Sequence, residues 1–352
     1  MKFGLSFLPD SEPNKKTAPE YFSEIFELCR IADQEGLNSI KMTEHYLHPY
    51  GGYCPSPLAF LSAVAAQTKQ IRLMTGCILP VFHHPIQIAA KTAMLDAISN
   101  GRADIGFARA YLPYEFDAFE IEMDESRGRY EQTILTVLKL WTEPKVSVNT
   151  PFFNFKDAVN FPSPVQRPHP PVWGAAVNSR QSFSWIAEQG FNLLMSTPPG
   201  PLESLKDRID VYRESFYSAP QNTNKKPQVA ISVPLFIDEN PKKAIAASEK
   251  YLQNYLDVWA DAADAWSHRS SSDYPKYTGL ASVLRANTPE LMREQKQALV
   301  GCPEHIIDGI LAIKEILQID YILWQIDTGS QPIEIAKKSL NLFTQKILHK
   351  VA

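Results

Sequence analysis

The chain has 352 residues, 44% of them hydrophobic and 21% charged, with 35 Lys and Arg against 39 Asp and Glu and a formal net charge of -4. That balance sits near the soluble globular average, argues against disorder, and offers no basic surface for nucleic acid or an anionic membrane. No run of about 18 apolar residues is available to span a membrane, and the first residues lack an apolar signal core, so a cytoplasmic location is expected.

An apolar run at residues 2–8 precedes a helical pattern at 19–35, where Tyr21, Phe22, Ile25, Phe26, Leu28, Cys29 and Ala32 recur at helical spacing and Gly36 supplies the stop. Residues 39–43 read as a strand, 57–68 as a helix, 71–75 as a strand, 86–98 as a helix and 103–107 as a strand. A helix at 126–142 is followed by a strand at 171–176, a helix at 180–189, a strand at 191–195 and a helix at 201–217. A strand at 227–236, a helix from 241 to 259, a helix at 303–317, a strand at 321–326 and a helix at 331–347 complete the chain.

Strict alternation with short connections implies parallel strands and right-handed crossovers. Eight such units need about 250 residues, and the surplus fits insertions at 143–170, after the fourth strand and its helix, and at 260–302, after the seventh strand. The expected architecture is therefore one (β/α)8 TIM barrel over residues 1–352. A two-domain Rossmann arrangement is the alternative, but no G-x-G-x-x-G opens a helix; P-loop, H-E-x-x-H and G-x-S-x-G motifs are missing too. Cys29, Cys54, Cys77 and Cys302 have neither zinc-site nor disulfide-framework spacing.

Barrels react at the carboxyl ends of their strands. The polar residues there are Thr43-Glu44-His45-Tyr46 after strand two, Ala108-Arg109-Ala110-Tyr111 after strand four, and Asn178-Ser179 with Ser182 after strand five. Arg109, Arg127 and the Asn178-Ser179 helix start form an expected phosphate site, since a guanidinium fork and free helix N–H groups both bind anions. The alternative is structural: Asn178 or Ser179 as a helix cap, and Arg127 paired with Asp124 or Glu131. His45, beside Glu44, is the candidate acid/base. His48, His83 and His84 also lie near strand ends, but no carboxylate pattern selects a metal-binding trio, and no metal is expected. Phe7, Tyr46, Tyr53, Phe82, Tyr111, Tyr114 and Trp324 gather near the expected mouth, with Tyr46, Phe82, Tyr111 and Tyr114 as substrate-pocket candidates.

These residues, taken in order, resemble the bacterial luciferase-like flavin-dependent monooxygenases. The matching pieces are Met1-Lys2-Phe3-Gly4, Glu44-His45, Leu79-Pro80, His84-Pro85, Leu95-Asp96, Ser99-Asn100-Gly101-Arg102, Gly106-Phe107-Ala108-Arg109, Met123-Asp124-Glu125-Ser126-Arg127 and Gly301-Cys302-Pro303-Glu304. The resemblance implies a barrel that takes reduced FMN (FMNH2) from a separate NAD(P)H:flavin reductase and activates O2 as a flavin C4a-hydroperoxide. It puts His45 at the active-site histidine and Arg109, Arg127, Ser179 and Ser182 on the flavin phosphate; Asn178 stands where the luciferase catalytic chain has a glutamate. Ala108 replaces that chain's reactive cysteine. The resemblance also implies a cis peptide between non-proline residues near Thr75-Gly76-Cys77, beneath the flavin ring, and a mobile lid at 265–295. It further implies a homodimer, for which the helix at 57–68, with Leu58, Leu61, Ala65 and Ala66, is a candidate face. The expected function is oxygenation of a small, largely apolar organic substrate. The alternatives are a deazaflavin-dependent hydride-transfer enzyme and a non-catalytic flavin-binding protein.

Overall fold

The computed structural model describes residues 1–351. Eight parallel strands close into a ring: β1 (Lys2–Phe7), β2 (Ser39–Met42), β3 (Arg72–Thr75), β4 (Ala103–Ala108), then, past the antiparallel hairpin β5 (Val146–Asn149) and β6 (Asn154–Ala158), β7 (Val172–Ala175), β8 (Asn192–Ser196), β9 (Val229–Ile237) and, past the short β10 (Leu299–Gly301), β11 (Tyr321–Gln325). β11 pairs with both β9 and β1, which closes the barrel, and β10 extends the far end of β9. The helices are α1 (Ala18–Gln34), α2 (Pro57–Gln67), α3 (Pro85–Ile98), α4 (Pro113–Ala118), α5 (Ser126–Thr142), α6 (Arg180–Glu188) and α7 (Leu202–Ser218). They continue with α8 (Pro241–Ala263), α9 (Leu280–Ala286), α10 (Pro289–Glu294), α11 (Pro303–Leu317), α12 (Ile333–Leu342) and α13 (Leu348–Val351). The chain is thus a (β/α)8 barrel, as its alternation implied, and not a two-domain Rossmann arrangement. No helix among the described residues is long and apolar enough to cross a membrane.

Local signals explain the punctuation. Thr17 and Glu20 form a reciprocal capping box at the start of α1. Pro57, Pro85, Pro241 and Pro303 each open a helix where the missing N–H costs nothing. The nine residues of β9 are all buried, as a parallel strand covered on both faces requires. Met74, Cys77, Trp173, Leu194, Ala230, Tyr321 and Leu323 pack together in the barrel interior.

The 143–170 excursion is the β5–β6 hairpin and the loop that returns to β7. Its anchor is Asp96 on α3, a fully buried carboxylate that accepts from Val165 N at 2.7 Å, Gln166 N at 2.9 Å and Gln166 Nε2 at 2.7 Å. On α2, Leu61 and Ala65 face the core, which leaves Leu58 half-buried and Ala66 exposed. The candidate dimer face is therefore narrower than its sequence suggested, because two of its four residues pack inside the protomer.

Asp96→Ala strips three donors of their buried acceptor and is expected to cost about 3 kcal/mol, read as a lower urea midpoint, with the hairpin loop at 160–168 becoming protease-sensitive first. An unchanged midpoint would remove the anchoring role.

Candidate active site

A cavity of about 460 Å3 opens at the carboxyl ends of the strands. Its wall brings together Glu44 and His45 after β2, Gly76 and Cys77 after β3, Arg109 and Tyr111 after β4, and Asn178, Ser179 and Ser182 around the start of α6. The bond between Gly76 and Cys77 is a cis peptide between non-proline residues, at the expected place. Arg127 stands just behind, its Nη2 donating to Ser179 Oγ at 3.4 Å.

One side of the cavity is cationic. The Arg109 guanidinium donates to Asp273 Oδ2 at 3.1 Å and to the Asp273 carbonyl at 2.9 Å, and it lies over the Tyr274 ring at 4.2 Å. Burial, and then the field of nearby Arg109, hold the Arg127 guanidinium below its ordinary pKa. Ser179 caps α6 through Ser182 N, and Arg127 lies 3.8 Å from Glu131, so the structural reading of both residues holds as well. Capping leaves the first amides of α6 and the Ser182 hydroxyl at the cavity wall. The set of two guanidiniums, serine hydroxyls and a helix N-terminus fits a phosphate monoester.

His45 occupies another wall. Its Nδ1 lies 3.0 Å from Glu115 Oε1, which also accepts from Tyr46 N at 2.9 Å. Glu115 comes from α4, is fully buried, and has its second oxygen unpartnered. A carboxylate on Nδ1 fixes the tautomer that leaves Nε2 available for proton exchange. Gly51 makes room for this ring: it has φ +79, and a Cβ there would meet His45 Cδ2 at 2.7 Å. Glu44 does not pair with its neighbour. Its Oε1 accepts from the Tyr46 hydroxyl at 2.7 Å and lies 2.6 Å from His83 Nε2, so its partners are Tyr46 and His83.

Besides Arg127, four site candidates do not line the cavity. The Thr75 hydroxyl is buried and exchanges hydrogen bonds with the Gly106 backbone, joining β3 to β4. Tyr46 and Phe82 turn into an aromatic cluster with Phe116 and Phe119, where Phe82 stacks on Phe119 at 4.6 Å. Tyr114 packs against His48, its hydroxyl buried. Phe7 and Trp324 belong to the barrel core, against Phe60 and against Phe3 and Phe343. Tyr50, Tyr111, Tyr255 and Tyr277 supply the aromatic wall instead.

Sequence reasoning missed Glu115, Lys41, Asp273 and Tyr274. Glu115 lies on a six-residue helix too short to show periodicity. Lys41 was read as part of a strand, where its position opposite Ser6 on β1 could have flagged it as facing the barrel interior. Asp273 and Tyr274 sit in the 265–295 segment, which is strapped across the mouth: Arg269 pairs with Asp117, the Ser271 hydroxyl with Asp124, and the Tyr274 hydroxyl with the Ala110 carbonyl at 2.5 Å.

Behind the cavity wall lie two buried carboxyls. Asp10 accepts from Gly329 N at 2.6 Å and Asp327 from the Tyr21 hydroxyl at 2.7 Å, and each keeps one oxygen without a partner. Burial raises the Asp10 pKa to about 7 and pushes Asp327 well above the carboxylate range. The folded chain then keeps a proton that the unfolded chain releases near the ordinary aspartate value of 3.8, so Asp10 makes stability fall as pH rises from that value to about 7. Asp10→Asn keeps an acceptor for Gly329 N and removes the proton. Urea midpoints at acid, neutral and mildly alkaline pH should shift in the variant's favour as pH rises, and a constant difference would refute the assignment.

The sequence model for luciferase-like monooxygenases matches residues 1–318. The chain is 28% identical to the oxygenase component of a flavin-dependent trigonelline monooxygenase from Acinetobacter baylyi, over 99% of this chain and 95% of that one. The crystal structure of the monooxygenase RslO1 from Streptomyces bottropensis superposes with a TM-score of 0.87 at 33% identity, covering all of both chains. The oxygenating constituent of 3,6-diketocamphane monooxygenase from Pseudomonas putida, in complex with FMN, shares the fold with a TM-score of 0.81 at 18% identity, over 100% of this chain and 99% of that one. F420-dependent oxidoreductases also occur among the relatives.

Proposed function

Because the chain belongs to the luciferase-like monooxygenase family, we propose that it is the oxygenase component of a two-component flavin-dependent monooxygenase, using FMNH2 delivered by a separate NAD(P)H:flavin reductase and O2 as co-substrate. The observation that carries this reading is the pair of guanidiniums, Arg109 and Arg127, beside the start of α6 on a cavity that also holds an oriented histidine. Arg109, Arg127, Ser179 and Ser182, with Asn178 beside them, would hold the flavin phosphate, and Gly76 and Cys77 would border the ring. Bound reduced flavin supplies the electrons for oxygen activation; the chain's own part is to orient, exclude water and move protons. His45 Nε2 exchanges the proton, and Glu115 is the positioning residue on Nδ1. Glu44, fixed by Tyr46 and His83, stiffens that wall. The substrate is a small, largely apolar organic molecule held among Tyr50, Tyr111, Tyr255 and Tyr277. The four cysteines are free thiols, which suits a reducing, cytoplasmic compartment.

Protein loaded anaerobically with FMNH2 and mixed with oxygenated buffer in a stopped-flow instrument should regain oxidised-flavin absorbance only after a delay that free FMNH2 does not show. Return at the rate of free flavin, with or without aldehydes, ketones or aromatic acids present, would reject the oxygenase reading and favour the hydride transfer of the F420-dependent relatives. For a substrate found in that panel, His45→Ala should cut product formation about 100-fold with FMN affinity unchanged. Glu115→Gln should fall between that variant and the wild type.

The 265–295 strap is the lid in this reading, and it is latched where the phosphate would go. A phosphate on Arg109 competes with Asp273, so FMN should change the rate of trypsin cleavage after Arg269, Lys276 and Arg285, while riboflavin, which lacks the phosphate, should not. Equal rates with FMN, riboflavin and no ligand would rule out the latch.

A further inference from the structure

Lys41 is the least ordinary residue of the barrel interior. It lies on β2 opposite Ser6 of β1, and its ammonium donates to Ser6 Oγ at 3.1 Å and to Ser232 Oγ at 3.2 Å. Ser232 is on β9, which is separated from β2 by β1 and β11, so the side chain crosses the lumen. Its stem fits only because residue 76 is glycine: a Cβ there would fall 2.1 Å from Lys41 Cγ. The residue is 8% exposed and lines the cavity.

No carboxylate among the described residues forms an ion pair with this ammonium. The acids whose fields reach it are Cys77 and Asp327, and burial holds both toward their neutral forms, with the Cys77 thiol pushed up to about 12. Burial also works against the charge on Lys41 itself. Gln325, level with Ser6 on β11 and also on the cavity wall, has its Nε2 buried without an acceptor. Lumen positions of such barrels are ordinarily filled by branched apolar side chains. A buried cation with only hydroxyl partners costs stability that a methionine or leucine would not. The position is therefore explained by a ligand rather than by packing.

We propose that Lys41, Ser232 and Gln325, with Ser6 accepting from Lys41, form a donor subsite at the inner end of the cavity that binds an anionic oxygen. The proposal deepens the flavin reading, since that oxygen can come from two sources: the carbonyl-bearing edge of the reduced flavin ring, or a carboxylate or enolate of the substrate. An arriving anion stabilises the charge on Lys41 and gives Gln325 Nε2 an acceptor in one step.

The test is Lys41→Met in the full chain, near-isosteric and checked for folding by its urea midpoint. FMN affinity is followed by fluorescence quenching, the midpoint potential of bound FMN by dye equilibration, and benzoate binding by calorimetry with and without FMN. A tenfold or greater loss of FMN affinity, or a more negative potential of the bound flavin, assigns the subsite to the cofactor. Unchanged flavin behaviour with a tenfold or greater loss of benzoate affinity assigns it to the substrate. A folded variant that binds both probes as the wild type does overturns the proposal, as does a wild type that binds neither. If Lys41→Met does not fold, Gln325→Leu takes its place, and unchanged binding of both probes again overturns the proposal. A wild type that binds benzoate but not FMN rejects the cofactor reading separately and leaves the benzoate arm to decide on Lys41.

Discussion

Closing eight parallel strands into one ring sets two conditions that every other feature obeys. All carboxyl ends face the same mouth, so residues far apart in sequence are delivered to one place: His45, Gly76, Arg109 and Ser179 each follow a different strand and line one cavity. The ring also leaves a lumen that must be filled. Met74, Trp173, Leu194, Ala230, Tyr321 and Leu323 fill part of it with apolar side chains, and Lys41 crosses it as a cation. The cavity begins where that apolar filling gives way to polar side chains.

Much of what marks the family in the sequence belongs to the scaffold rather than to the chemistry. Asp96 anchors the hairpin excursion. Arg102, from Ser99-Asn100-Gly101-Arg102, donates to the Ala65, Thr68 and Ile71 carbonyls at 3.0, 3.1 and 2.9 Å and to the Ser99 carbonyl at 2.8 Å, closing the end of α2 onto the turn before β4. Asn100 and Gly101 take positive φ in that turn, as a reversal between helix and strand demands. A guanidinium fork meeting several carbonyls at a helix end has few substitutes. These residues serve the barrel rather than the cavity, which none of them lines.

The same physics decides what the sequence could reveal. Strand and helix periods are local, so the eight units and the residues just past each strand were legible, Arg109, Ser179 and His45 among them. Contacts between excursions are not local. The partner of His45 is 70 positions away on a helix with no visible period, so adjacency favoured Glu44 while the fold delivered Glu115. Tyr46 and Phe82 illustrate the reverse error: aromatic residues close to strand ends satisfy the same pattern whether they face the cavity or each other, and the 3₁₀ turn Pro80–Phe82 rotates Phe82 toward Phe119. The 265–295 segment was legible as an excursion but not as a strap, because its fastenings, Arg269 to Asp117 and Asp273 to Arg109, join points more than 150 residues apart.

Charge is distributed unevenly along the cavity, and that distribution constrains any occupant. Among the lining residues the cations are Arg109 and Arg180 near the start of α6, Lys276 on the strap and Lys41 in the lumen, and Tyr50, Tyr111, Tyr255 and Tyr277 line the same cavity. Lys41 and Arg109 differ in what binding must displace. Lys41 has only hydroxyl partners, so an anion there meets no internal competitor. Arg109 is already paired with Asp273, and an anion there exchanges one charge-assisted contact for another, so the affinity gained is only the difference between them. The exchange carries information in return: because Asp273 belongs to the strap, occupancy at Arg109 and the position of the strap cannot vary independently.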